Sequence, residues 1–249
     1  MATINQLSTS ALLAIQESVA NRISGCEYLE EAAQNYMSVL FEELHEAILL
    51  ARFFAAVPMN KLPDENRLFV QQLAKSKGVD DLLRENTMVL SLLGSRGVEE
   101  GWNDRKESSG HVGIPLVSAD FIEAIPMMSR LLKQMGLGLD WIDSNDTELV
   151  VRAAGKMGGV FHVEQAATER DNQGRKIIAA QDFVKQYGVK TVFGIGGGYL
   201  GTDIFFTTII FSNEVVNRDI IRRFMLQANI FKTSTMALTI DGRIFSSHH

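Results

Sequence analysis

The chain has 249 residues, 46% of them hydrophobic and 22% charged, enough for a sizeable core and unlike a disordered, collagen-like or disulfide-stapled chain. Its 24 Lys and Arg against 30 Asp and Glu leave a formal charge of -6 with no long basic run, which argues against nucleic acid or an anionic membrane as the main partner. A single cysteine, Cys26, excludes an internal disulfide and a thiolate zinc site and fits a reducing compartment.

Residues 1–24 lack the charged start and cleavage pattern of a signal peptide. The apolar run at residues 47–59 contains Arg52 and Pro58 and is shorter than the roughly 20 residues that a bilayer needs, so the expected location is the cytoplasm. Leu12, Ile15, Val19 and Ile23 form one helical stripe after a possible cap at Ser8, Thr9 or Ser10. Residues 27–48 carry a second apolar face through Leu29, Ala33, Tyr36, Leu40 and Leu44, able to pack on its own domain or on a second copy. A strand is expected over residues 49–57, and a helix from Pro63 to Gly78 with Asp64 and Glu65 in its first turn.

Strands are expected at residues 87–93 and 111–117, joined by a polar loop, 94–110, that reads as a lid. Ser118 and Asp120 can cap a helix to Met135 that Pro126 must kink or restart, and Asn145 or Asp146 can start another. Residues 160–164 read as a strand, 168–175 as a turn and 181–187 as a short helix stopped at Gly188. Residues 189–195 and 204–211 suit an antiparallel hairpin, and a last helix capped by Asn213 places Val216, Ile220, Phe224, Ala228 and Phe231 on one face.

Gly196, Gly198 and Gly201 satisfy the spacing of a dinucleotide-binding fingerprint, which requires a helix to follow. Residues 202–211 are strand-like instead, so a glycine-rich hairpin loop or bulged strand is the better reading. Glu42-x-x-His45 has no second copy, and His162-x-Glu164 lacks the Pro-Cys-x-x-Cys half of a zinc deaminase, so no metal site is assigned. Arg218, Arg222 and Arg223 read as ion-paired with Glu214 and Asp219 on a solvated helix face. Arg175 could close over an acidic ligand, and Met127, Met128 and Met135 with Phe121 and Leu131 form an adaptable apolar face that reads more readily as core than as pocket wall.

The stretch Ile114-Pro115-Leu116-Val117-Ser118-Ala119-Asp120-Phe121, and the block from Gln181-Asp182-Phe183-Val184 through Thr191-Val192-Phe193-Gly194 to the C-terminal helix, resemble bacterial GAF-like (GAF/PAS-type) sensory modules. The resemblance implies an α+β fold: a GAF-like antiparallel sheet flanked by helices, with long N-terminal and C-terminal helices. It further implies a small-molecule pocket between sheet and connecting helices. Residues 1–48 then form an N-terminal helical extension for dimerisation and relay, and residues 49–249 the sensory domain. No output domain such as a kinase or cyclase is visible, so a separate signalling partner is implied. A bilin on Cys26 or a haem on His111 or His162 has no support, and the cofactor is left unknown.

The expected function is therefore a cytoplasmic sensor that binds a small organic ligand and signals through its terminal helices as a homodimer. Phe121, Trp141, His162, Arg175, Phe193, Tyr199 and Phe206 are the candidate pocket residues, because such sites combine aromatic walls with a few polar groups. The alternatives are an enzyme using His162, Glu164, Asp171 and Arg175 for acid-base chemistry, and a ligand-free dimerisation scaffold.

Overall fold

The computed structural model describes residues 3–108, 110–144 and 147–246. In chain order its regular elements begin with α1 (Thr9–Ile23), α2 (Leu29–Leu44), β1 (Ile48–Pro58), α3 (Asp64–Lys77), β2 (Met88–Gly97) and β3 (Gly113–Pro115). They continue with α4 (Ala119–Glu123), α5 (Pro126–Gln134), α6 (Thr147–Lys156), β4 (Gly158–Val163) and α7 (Gln181–Tyr187). The last are β5 (Thr191–Gly198), β6 (Phe205–Ser212), α8 (Arg218–Arg223) and α9 (Met225–Ile240). The strands form one 6-stranded sheet in the order β3-β2-β1-β6-β5-β4, and every neighbouring pair is antiparallel. The expected α+β arrangement, an antiparallel sheet flanked by helices, is what the chain adopts.

Strand parity sorts the sheet residues between two cores. On β1, Ala51, Phe53, Ala55 and Val57 face the terminal helices, while Phe54 and Ala56 belong to the opposite core. On β6, Phe206 and Ile210 join the first group, and Phe205 and Ile209 the second. The helical side is sealed by aromatic contacts: Phe53 stacks on Phe206 at 5.1 Å between ring centroids, and Phe231 of α9 lies 4.7 Å from Phe53 and 5.1 Å from Tyr36 of α2.

The helix at residues 29–44 is thus part of the same hydrophobic cluster as the sheet, with Ala33, Tyr36, Met37 and Leu40 fully buried. Its N-terminus has no side-chain cap, and the chain's other end satisfies it: the Leu29 and Glu30 amides donate to the Arg243 and Ile244 carbonyls at 2.9 Å each. In α1, Ser8 Oγ accepts from the Ala11 amide at 3.1 Å, the cap expected from the sequence. The Leu12 carbonyl at its other edge accepts from Gln227 of α9 at 3.2 Å.

Several expectations need correction. β2 runs on to Gly97, so the connecting loop starts later than expected, and most of it is pinned rather than free. Arg105 Nε donates to Glu30 Oε1 at 2.7 Å, and the Gly97 amide donates to Asn103 Oδ1 at 3.0 Å. The C-terminal helix does not start at Asn213, whose side chain donates instead to the Glu46 carbonyl at 2.8 Å. Asn217 caps α8, its Oδ1 accepting from the Ile220 amide at 3.0 Å, and α9 follows a break at Phe224. Arg222 pairs with Asp219 at 3.1 Å one position closer than expected, and Glu214 accepts from Asn5 at 3.1 Å instead of pairing with Arg218. The strand over residues 111–117 is reduced to Gly113–Pro115. The expected helix start at Asn145 or Asp146 lies outside the described residues.

The glycines at 196 and 198 lie inside β5, with no helix after them, so the dinucleotide fingerprint has lost its structural context. At Gly198 a Cβ would stand 1.6 Å from the Ala154 carbonyl oxygen, which shows that α6 presses its last turn against the strand backbone. The same requirement holds at Gly94, where β2 carries α2: an added Cβ would meet the Ala33 carbonyl carbon and oxygen at 2.7 Å. Both obstacles are backbone atoms, which cannot step aside by changing rotamer.

Gly94→Ala is therefore expected to destabilise the fold by ~1–3 kcal/mol, the usual cost of overpacking. Gly101→Ala, whose new methyl group would have nothing within 4 Å, is the control and should melt like the parent chain. Equal melting temperatures for the two variants would show that α2 and β2 do not need this approach.

Candidate functional site

An apolar chamber opens on the face of the sheet opposite the terminal helices. A cavity of about 390 Å³ lies between the outer face of β1, β2, β3 and β6 and a cover made of the start of α5 and residues 177–183. Its floor is Leu50, Arg52 and Phe54 of β1 with Ile209 and Phe211 of β6. Its cover is Ile125, Pro126, Met127 and Met128 on one side and Ile177, Ile178 and Phe183 on the other, with Trp102, Gly110 and His111 at an end. Pro126 begins α5 at the position where a proline costs a helix nothing, and so sets where the cover turns back over the sheet. Trp102 is held by Tyr187 and Phe183, with ring centroids 4.9 and 5.7 Å away.

Two lining side chains can carry charge. Arg52 is placed on the cavity face by strand parity, between Ala51 and Phe53, which face the helices. Its Nη2 makes one long hydrogen bond of 3.4 Å to Ser108 Oγ, and its Nε is buried with no partner among the described residues. No carboxylate lies within ion-pair distance of it among the described residues. Burial lowers the guanidinium's pKa, yet an arginine keeps its proton at neutral pH, so the charge stays in place. Ser95, directly opposite Arg52 in the β1–β2 ladder, also has a buried Oγ without a partner.

His111 is exposed at the mouth in overall surface, but enough of its ring is desolvated to lower its pKa, and the Arg52 charge lowers it further. Its imidazole is therefore neutral at neutral pH, with one nitrogen free to donate and one to accept. It is also the non-glycine residue at positive φ, +58°, among the described residues, a conformation that L side chains rarely adopt.

The seven residues singled out in the sequence do not form one site. Phe193, Tyr199 and Phe206 lie in the core on the helical side, where Tyr199 Oη bonds Thr235 Oγ1 at 2.7 Å. Burial pushes the Tyr199 hydroxyl's pKa up, opposed in part by that hydrogen bond. His162 is tied to the Val216 carbonyl at 2.8 Å through Nε2. Trp141 packs edge-on against Phe205 and lines a separate hollow of about 110 Å³. Phe121 is half-buried against the second core without reaching the cavity.

Arg175 is also engaged, by protein rather than by ligand. Its Nε donates to Asp171 Oδ2 at 2.7 Å and its Nη2 to the Glu123 carbonyl at 2.8 Å. It thereby ties the 171–175 turn to the end of α4, just before the Ile125–Met128 wall of the cavity. The four residues of the acid-base alternative do not converge either, since His162 is tied to Val216, Glu164 is exposed and Asp171 is held by Arg175. Among the described residues no three His, Cys, Asp or Glu side chains cluster as metal ligands, and no helix is long and apolar enough to cross a membrane.

No family model and no curated protein matches the chain. GAF domains recur among the solved structures to which it is similar. One is the phycoerythrobilin-bound GAF domain of a cyanobacterial phytochrome, at 10% identity and a TM-score of 0.48, covering 92% of this chain and 97% of that one. A second GAF domain gives 10% identity and 0.47, covering 94% and 92%. A third, from an Acinetobacter phosphoenolpyruvate-protein phosphotransferase, gives 10% and 0.44, covering 96% and 100%. Likenesses this loose decide nothing about a ligand, and the site is read from its own geometry.

The brace beneath the cavity wall has a pH signature. Burial alone would raise the Asp171 pKa, but hydrogen bonds from the Arg175 amide and guanidinium outweigh it and hold the carboxyl below its ordinary value of 3.8. A depressed folded-state pKa contributes stability above the unfolded value that is lost as pH falls through the folded one. Asp171→Asn should therefore melt below the parent chain by a constant margin above roughly pH 5, and the margin should close as the pH drops below the ordinary carboxylate range. A margin that does not change with pH would show that the Asp171 charge plays no part in the brace.

Proposed function

We propose that this chain is a sensory domain that binds a small organic molecule between the outer face of its sheet and the α5/α7 cover. The supporting observation is the cavity itself. Native cores pack with few voids larger than a water, whereas this one has the roughly 300–1,000 Å³ scale of small-molecule sites, apolar walls and a few polar groups. Its cover consists of short elements braced by Arg175, which can adjust to an occupant at less cost than the long helices on the other face.

In this reading the occupied and empty states differ in how the cover packs, and a ligand shifts their balance only to the extent that it prefers one of them. The terminal helices carry the signal to a second copy or to a separate output protein in the cytoplasm. Leu13 of α1 and Leu226 of α9, each 53% exposed, supply apolar surface for that contact.

The test compares native with denaturing mass spectrometry on the full chain and on Met127→Trp, in which a half-buried cavity side chain is replaced by a larger one. The expected result is an extra mass that is lost on denaturation in the parent chain and missing from the variant. A parent chain that retains no mass, and that no member of a metabolite panel protects against thermal unfolding, would overturn the reading.

A further inference from the structure

We propose that the ligand is an organic anion, with its acidic group held at Arg52 and its aromatic or alkyl body lying along Phe54, Ile114, Met127, Ile177 and Ile209. This inference rests on the cavity being a ligand site and adds the chemistry that the site selects.

The carrying observation is a cation that faces an apolar chamber with no carboxylate within ion-pair distance among the described residues. Arg52 stands on the central strand β1, its Nε buried without a partner and its guanidinium contacting Ser108 Oγ at 3.4 Å. Buried charges in proteins are ordinarily paired, because removing one from water is costly unless a partner of opposite sign and hydrogen bonds compensate. Arg105, the buried arginine of the opposite face, has Glu30 at 2.7 Å, and Arg96, whose Nε is likewise buried without a partner among the described residues, lies over the Phe41 ring at 6.0 Å. Arg52 lacks such a partner among the described residues, and what adjoins it is open volume.

An arginine fork matches the two oxygens of a carboxylate, sulfonate or phosphate, and its charge is permanent. A neighbouring group fits the same headgroup: His111 lines the same chamber at its mouth and can donate a hydrogen bond to it. The rest of the lining offers no second charge, so the remainder of the ligand must be apolar. A neutral lipid-like ligand would leave the guanidinium uncompensated, and a polyanion would find one cation for several charges.

The experiment uses two dyes that share one skeleton: 8-anilino-1-naphthalenesulfonate, an anion, and N-phenyl-1-naphthylamine, its neutral counterpart. Both are titrated by fluorescence into the full-length chain, Arg52→Met and Met127→Trp. Arg52→Met should weaken the sulfonate dye about tenfold or more, the scale of a charge-assisted hydrogen bond, and leave the neutral dye within about twofold. Equal effects on both dyes, or none on either, would overturn the anion assignment while the cavity reading stands. Undiminished binding of both dyes to Met127→Trp would overturn the cavity reading, and the anion assignment with it.

A measurement on the parent chain alone decides the matter if Arg52→Met fails to fold. There, 1-naphthoate should displace the neutral dye at about tenfold lower concentration than 1-naphthamide. Equal displacement would refute the preference for an anion.

Discussion

The architecture depends on one constraint: β1 is an inner strand of a sheet covered on both faces, so each of its side chains must suit one of two interiors. Parity then leaves little freedom. Phe53 must join Tyr36, Phe206 and Phe231 under the terminal helices, and its neighbours Arg52 and Phe54 must face the other way. The register with β2 shifts between Phe53 and Phe54, where Leu93 is the extra residue that lets both Leu93 and Gly94 serve the helical side. That local insertion is what allows α2 to sit down on the Gly94 backbone.

The two faces differ in what covers them, and the difference explains which of them holds the apolar chamber. On the helical side α2 and α9, each 16 residues long, lie along the sheet and fill its pleats with large side chains. On the other side the cover is α5 of 9 residues, α6 of 10, α7 of 7 and the irregular segment between β4 and α7. Short helices cover a twisted sheet less continuously than long ones, and volume remains between the start of α5 and residues 177–183. Arg52 faces that volume, and no carboxylate lies within ion-pair distance of it among the described residues.

Much of this fold is legible in the residues. Proline, acidic residues and glycine bracket α3, Ser8 caps α1, and β-branched and aromatic runs mark β5 and β6. The break at Phe224 is not legible, because Val216, Ile220, Phe224 and Ala228 keep helical spacing straight through it. Site residues chosen by aromatic character fall largely in the helical core, since composition cannot say which parity of a strand faces a filled interior. Phe205 and Phe206 are alike as residues, yet one belongs to each core. A sharper signal lies in Leu49-Leu50-Ala51-Arg52-Phe53-Phe54, where a lone charge in an apolar strand argues for a binding group as well as against a membrane span. Met127 and Met128 stand out in the sequence as an adaptable face, and they do line the cavity.

The relay that the proposed function requires would have to cross the sheet, and β1 offers a direct route, because Arg52 and Phe53 are adjacent residues on opposite faces. In that proposal a headgroup drawing Arg52 outward would act on the same backbone that seats Phe53 against Phe231. The receiving side is joined into one body: the Arg243 and Ile244 carbonyls hold the first amides of α2, and Gln227 of α9 holds the Leu12 carbonyl of α1. In the proposed sensor these ties would couple the shifts of α1, α2 and α9 to one another. Such a coupling would be reciprocal, so whatever packs against α1 and α9 in the liganded state would raise affinity in the cavity by the same factor that the ligand raises the affinity of that contact.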